Sequence, residues 1–272
     1  MRRRIWLLAL VFMAGACATD INDPNFQRIN TELLNNQLTA VVANSRYENT
    51  KGKVFYIGLA LWTENWSEND VLTVSQSLKD LFGDSFDAVI LSNKVTKLPA
   101  TYPISDVRTA STAIKRVSKI ADKADDTIFI LVSGHGNKDM LISKIGYNKP
   151  KAIPVWLFKS ILKPLVDHRA VIIISACHSG SLIDDLENDN WIIITATDED
   201  HVSFGCGPME RNTYFVNAIN NSIEKEKNNF RDIFSLAKEN IKIKEKRLNF
   251  ENSNPQMFVG MNMIDYAKKP LE

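Results

Sequence analysis

The sequence predicts an α/β protein with three layers, α/β/α, around a mainly parallel central sheet. Two observations predict it. Residues 54–61, 128–132, 171–174 and 191–194 are apolar runs with no polar alternation. Strands of a parallel sheet read this way when helices cover both faces. Segments of helical character separate the runs, and strands alternating with helices give a parallel sheet with right-handed crossovers. A third observation points to chemistry. One run stops at Ser133-Gly134-His135-Gly136, and another at Ser175-Ala176-Cys177-His178-Ser179-Gly180. Open α/β sheets place their chemistry just beyond the carboxyl ends of the strands.

The elements follow in order. Residues 20–49 are polar, with Leu33, Leu34, Leu38, Val41 and Val42 at helical spacing, which predicts a tether ending in one helix. The first strand covers 54–61. Asn69 or Asp70 is the expected cap of a helix that runs to Leu81 and stops at Gly83. A second strand covers 88–91 and a helix 105–121. The strand ending at His135 comes next, then a hairpin arm over 141–145. Residues 154–165 fit a helix with proline in its first turn. The strand ending at Cys177 and a further one over 191–196 complete the centre. Residues 203–208 are rich in turn formers and read as a loop. Helices follow over 213–224 and 230–246, and a short closing strand over 255–260.

Composition bounds the function. A chain of 272 residues, 44% hydrophobic and 24% charged, can bury one sizeable core. Its 33 Lys and Arg balance 32 Asp and Glu, which provides no basic surface for nucleic acid. Arg2, Arg3 and Arg4 precede an apolar run over 5–13 that is too brief to span a bilayer. Ala14-Gly15-Ala16 then offers small residues to a peptidase, so 1–16 reads as a secretory signal peptide. Cys17 directly after them resembles the lipobox of bacterial lipoproteins. The expected organisation is a lipoprotein signal peptide at 1–16, a tether and N-terminal helix at 17–50, and one catalytic domain at 51–266. Cys17 is the expected lipidation site. The protein is expected in a bacterial cell envelope, lipid-anchored to a membrane and facing the periplasm or exterior. Cys177 and Cys206 are then the remaining thiols, too few for a disulfide framework.

Nucleophilic catalysis needs a nucleophile, a proton carrier and donors for the negative charge that develops. Cys177 is the candidate nucleophile and His135 the candidate base. The helix expected near Ser179 would present its N-terminus to the thiolate. His178 adjoins the nucleophile in sequence and is assigned a structural or pocket role. His168 is expected at the surface. His201 belongs to a loop from which it can touch substrate. Ser179 lacks the Gly-x-Ser-x-Gly elbow of a serine nucleophile. No His, Cys and Asp cluster has metal-ligand spacing, so neither a metal nor another cofactor is expected.

The two strand-end motifs together resemble the legumain-like C13 peptidases of the caspase-type clan, most of all their bacterial lipoprotein members. Ile194-Thr195-Ala196, then Ser203-Phe204-Gly205-Cys206, then Thr213-Tyr214-Phe215, is similar to that family's downstream strand and substrate-pocket region. Pro255-Gln256-Met257-Phe258-Val259-Gly260 resembles its C-terminal segment. The similarity spans 54–260. It implies a caspase-like fold and a cysteine endopeptidase acting on peptide or protein substrates through a thioester. It also implies Cys177 and His135 as the dyad, and the N–H groups of Gly136 and Cys177 as the oxyanion hole. Ser203, Ser175 and Asn217 are the implied substrate-binding residues.

Departures from the family bear on specificity. Legumain prefers asparagine before the cut and uses an arginine and an acid in its pocket. Residues 62–69 contain no arginine, and Asn217 stands at the acid's position. A small or uncharged residue before the cut, with weak selectivity for asparagine, is therefore expected. Two other readings keep the same features: a transamidase resolving the same thioester with an amine, and a non-enzymatic lipoprotein using the fold to bind a partner.

Overall fold

The computed structural model describes residues 20–47, 52–95, 100–225 and 229–271. The expected signal peptide and Cys17 lie outside the described residues. Among these residues a six-stranded sheet has the order β2-β1-β3-β7-β8-β9. Its strands are β1 (Val54–Ala60), β2 (Phe86–Ser92), β3 (Thr127–Ser133), β7 (Ala170–Ser175), β8 (Trp191–Thr195) and β9 (Gln256–Val259). The first five run parallel, and β9 closes the edge antiparallel to β8. The architecture is a three-layer α/β/α fold with a mainly parallel sheet.

Every side chain of β1, β3, β7 and β8 is buried. Alternate residues feed two different cores, because successive strand side chains point to opposite faces. Ile57, Ile130, Ile172 and Ile193 meet α1 (Pro24–Tyr47), α3 (Val107–Val117) and α4 (Val155–Leu162). Tyr56, Phe129, Ile173 and Ile194 meet α2 (Asn65–Phe82), α6 (Tyr214–Lys225) and α7 (Phe230–Arg247). A fully buried side chain of this kind contributes about 1.5–3 kcal/mol. The absence of polar alternation is thus a direct consequence of covering both faces.

Several expectations need correction. The segment expected to be a tether ending in one helix is helical from Pro24, with Phe26, Asn30, Leu34, Leu38 and Val41 buried at three- and four-residue steps. Three of these apolar side chains belong to the central core, so the fold begins before residue 51. At the other end, Ala267 and Leu271 are buried in the opposite core, beyond the expected limit at 266. The helix after β1 starts at Asn65, not at Asn69 or Asp70, and Glu64 caps it without a side-chain hydrogen bond. Asp70 is buried inside that helix.

A second sheet was only half anticipated. It is built from β4 (His135–Asn137), β5 (Met140–Ser143) and β6 (Lys151–Pro154). Asn93 fixes it to the main sheet. Its Nδ2 donates to the carbonyl of Leu61 at 3.0 Å and to Ser143 Oγ at 2.9 Å, and its Oδ1 accepts from Ser105 N at 2.8 Å. His135 therefore stands at the junction of the two sheets. The turn after Cys177 holds a four-residue 3₁₀ segment at Ser179–Leu182 and the one-turn helix α5 (Ile183–Leu186). The helical segment expected near Ser179 thus begins there, as a single 3₁₀ turn followed by a single α-helical turn.

Candidate active site

The register of the sheet brings the two strand-end motifs together. Ser133 on β3 pairs with Ser175 on β7. His135 and Cys177 each lie two residues further on, so they leave neighbouring strands at the same level. Adjacent strands lie roughly 5 Å apart. Gly134 N donates to the carbonyl of Ser175 at 3.1 Å, which holds the two exits side by side. Gly136 then passes directly over the backbone of Cys177. A Cβ at Gly136 would lie 2.4 Å from the carbonyl oxygen of Cys177 and 3.1 Å from Ala176 Cβ. Only glycine permits that approach.

The Cys177 thiol is half-buried and faces Ser203. The N–H of Ser203 donates to Sγ at 3.4 Å, and its hydroxyl lies 3.7 Å from Sγ. No hydrogen bond joins Sγ to the imidazole in this state.

His135 is held by aromatic rings. Trp62 and Trp66 both meet it edge-on, with ring centroids 4.3 and 5.4 Å away. Burial pushes its pKa below the ordinary histidine value, and the Glu64 carboxylate partly opposes that shift. Glu64 sits between the two tryptophans in sequence, and its Oε2 is buried without a hydrogen-bond partner. The sequence reading missed this trio. Its trace was a pair of tryptophans four residues apart with a carboxylate between them, in the segment that follows the first strand.

The remaining expected residues separate clearly. Ser203 lies at the thiol. Ser175 does not: it is fully buried, and its hydroxyl lies 3.0 Å from Thr213 Oγ1. Its expected role in substrate binding is corrected to an internal one, because the side chain points into the sheet–helix layer. Asn217 is half-buried on α6, and no hydrogen bond links its side chain to Cys177, His135 or Ser203. Cys206 is half-buried, and burial together with the nearby Cys177 raises its pKa, which keeps it a protonated thiol.

The other histidines have structural places. His178 adopts a left-handed backbone with φ 55° and turns its ring away. Its Nδ1 donates to the carbonyl of Glu199 at 3.0 Å. His201 pairs with Asp198 at 2.6 Å and with Glu251 at 3.4 Å, and the Asp198 hydrogen bond raises its pKa. These contacts tie it to Asp198 within its own loop and to Glu251. His168, expected at the surface, is 3% exposed and sits at the opposite end of the sheet. Ser179 is buried against Thr197. Among the described residues no group of His, Cys, Asp and Glu is arranged to hold a metal ion.

Comparison with known proteins agrees with the fold. The crystal structure of caspase-1 from Spodoptera frugiperda superposes with a TM-score of 0.52 at 12% identity, covering 77% of this chain and 86% of that one. That likeness shows the fold. No curated protein matches the chain in sequence. A family model described as the Peptidase C13 family matches residues 106–265, which include both strand-end motifs. The chain belongs to the peptidase C13 family, has a caspase-like fold, and is of the cysteine-peptidase type.

Proposed function

We propose that the chain is an exported cysteine endopeptidase working through a Cys177–His135 dyad. One observation carries the reading: the Ser133–Ser175 register delivers a thiol and an imidazole from adjacent strand ends into one partly buried site. His135 is neutral at pH 7, since burial lowers its pKa, and so it can accept the thiol proton. The sulfur attacks the substrate carbonyl carbon. The N–H groups of Gly136 and Cys177 receive the oxyanion. The C–N bond then breaks, and His135 returns its proton to the leaving amine. Water, deprotonated by His135, attacks the thioester, releasing the carboxylate product and restoring the thiol. Glu64 stabilises the imidazolium that forms in between, and the two tryptophans hold its plane.

The preferred residue before the cut is small or uncharged, with weak selectivity for asparagine. Ser203 supports this as the polar group beside the thiol. Export and lipid attachment through Cys17 belong to the same proposal and are supported by the sequence pattern alone. Replacing Cys17 with Ser should release the protein from membranes and stop incorporation of labelled fatty acid.

The test is to incubate the protein with a peptide library and identify products by mass spectrometry. Free carboxyl termini that are absent with Cys177→Ala support a peptidase. Products joined to an added amine show a transamidase. No turnover with any peptide, and no labelling by thiol electrophiles, shows a binding protein.

A further inference from the structure

Asp70 has no exposed surface, and among the described residues it forms no ion pair. A buried carboxylate without a cation survives only when hydrogen bonds surround it. Here they do. Oδ2 accepts from Ser133 Oγ at 2.7 Å and from Thr213 Oγ1 at 2.9 Å. Oδ1 accepts from Thr213 N at 3.0 Å and from Asn212 Nδ2 at 3.1 Å.

Following the hydrogens extends the set. Thr213 gives its hydroxyl proton to Asp70, so the Ser175 hydroxyl, 3.0 Å away, donates to Thr213 Oγ1. The carbonyl of Ser133 in turn accepts from Ser67 Oγ at 2.7 Å, which ties β3 to the first turn of α2. Ser133 and Ser175 are register partners, and each stands two residues before a member of the dyad. One carboxylate therefore gathers the ends of both reactive strands and the start of α6.

We propose that Asp70, as an ionised carboxylate, is a positioning residue that sets the distance and angle between His135 and Cys177; this rests on the dyad reading above. The ionised form matters because every neighbour is a donor. A proton on Asp70, or an amide in its place, leaves hydrogens facing hydrogens. Burial raises the Asp70 pKa to about 6, against the pull of its hydrogen bonds from Ser133, Asn212 and Thr213. The titratable groups that feel it are Tyr56 on β1 and Cys206 in the loop over 203–208, and both are neutral at pH 7.

The experiment uses the full chain and the variants Asp70→Asn, Ser133→Ala, Thr213→Val, Ser77→Ala and Cys177→Ala. Ser77 is a control: it too loses a buried hydroxyl on α2, one bonded to Asn220 Oδ1 at 2.7 Å, outside the set. Three quantities are read: kcat and KM at pH 7.5 on a cleaved peptide, the pH profile of Cys177 alkylation by iodoacetamide, and the melting temperature. Misplacing reacting groups by a fraction of an ångström costs about tenfold to a hundredfold in rate. Asp70→Asn should lower kcat on that scale with KM little changed, and move the alkylation profile to higher pH. Ser133→Ala and Thr213→Val should move it the same way by less, and Ser77→Ala should lower only the melting temperature. Folded Asp70→Asn with a wild-type profile and kcat overturns the proposal. Should Asp70→Asn fail to fold, wild-type profiles in both Ser133→Ala and Thr213→Val overturn it instead. Unaltered turnover and labelling in Cys177→Ala would instead defeat the dyad reading itself.

Discussion

His135 and His168 lie at opposite ends of the same sheet. Burial lowers the pKa of both. His168 precedes β7, packed among Asp122, Asp126, Asp167 and Lys123, with its Nδ1 buried and unpartnered. His135 follows β3, between two tryptophans, next to a buried carboxylate oxygen and beside the exit of Cys177. The shift in pKa is common to both and so marks neither as functional. The difference lies in position: His135 leaves the carboxyl end of β3 beside the exit of Cys177 from β7, whereas His168 lies at the amino end, where the described residues include no cysteine. Perturbed titration becomes informative when geometry adds a reacting partner.

The comparison breaks most visibly at the dyad. Cys177→Ala should abolish turnover, and Cys206→Ala should leave it measurable. His135→Ala should reduce kcat/KM by roughly two or more orders of magnitude, the scale for removing a general base. His178→Ala should cost much less. Steady-state kinetics on one cleaved peptide check all four, and a larger loss with His178→Ala would place the base wrongly.

Gly136→Ala comes next. Its added methyl would sit 2.4 Å from the Cys177 carbonyl oxygen, so one strand exit must shift. A loss of about tenfold to a hundredfold in kcat is expected. Wild-type kcat would show that the exits are looser than the register implies.

Glu64→Gln sharpens the contrast without destroying the site. The carboxylate raises the His135 pKa against the effect of burial. Removing its charge lets that pKa fall further. In the proposed mechanism neutral His135 accepts the thiol proton, so the acid limb of the kcat/KM profile should move to lower pH. A limb that stays in place, or moves to higher pH, would remove Glu64 from the account.

The smallest effect on activity belongs to His168. His168→Leu should leave kcat/KM unchanged, because no reacting group lies near it. Stability should respond instead. With its folded pKa below the unfolded value of 6.5, His168 contributes stability that is present above 6.5 and lost as pH falls through its folded pKa. Denaturant melts from pH 7.5 to 5 should therefore show a shallower acid loss in His168→Leu than in wild type.

Much of this was legible in the sequence, for identifiable reasons. Strands at 54, 128, 171 and 191 announce themselves because burial on both faces excludes polar residues. The helices near 213 and 230 are marked by regular apolar spacing. The second sheet was faint because strands of three or four residues carry too few positions to show a period. Asp70 looked like a helix cap because its partners, at 133, 212 and 213, are remote in sequence. His168 looked exposed because it stands between Asp167 and Arg169, although the chain folds it inward. Cys177 and His135 were visible as strand-end residues, whereas Ser175 was misread because strand register alone decides whether a serine faces substrate or core.

The central claim is that Cys177 and His135 act as one unit. The most direct measurement is the rate at which iodoacetamide modifies Cys177, mapped by mass spectrometry, from pH 5 to 9 in wild type and His135→Ala. The account predicts a reactive thiol at pH 7 in wild type, and in His135→Ala a rate that rises only towards the pKa of an ordinary thiol, near 8.5. Identical profiles in the two proteins would show that the imidazole does not act on the sulfur, and would contradict the dyad.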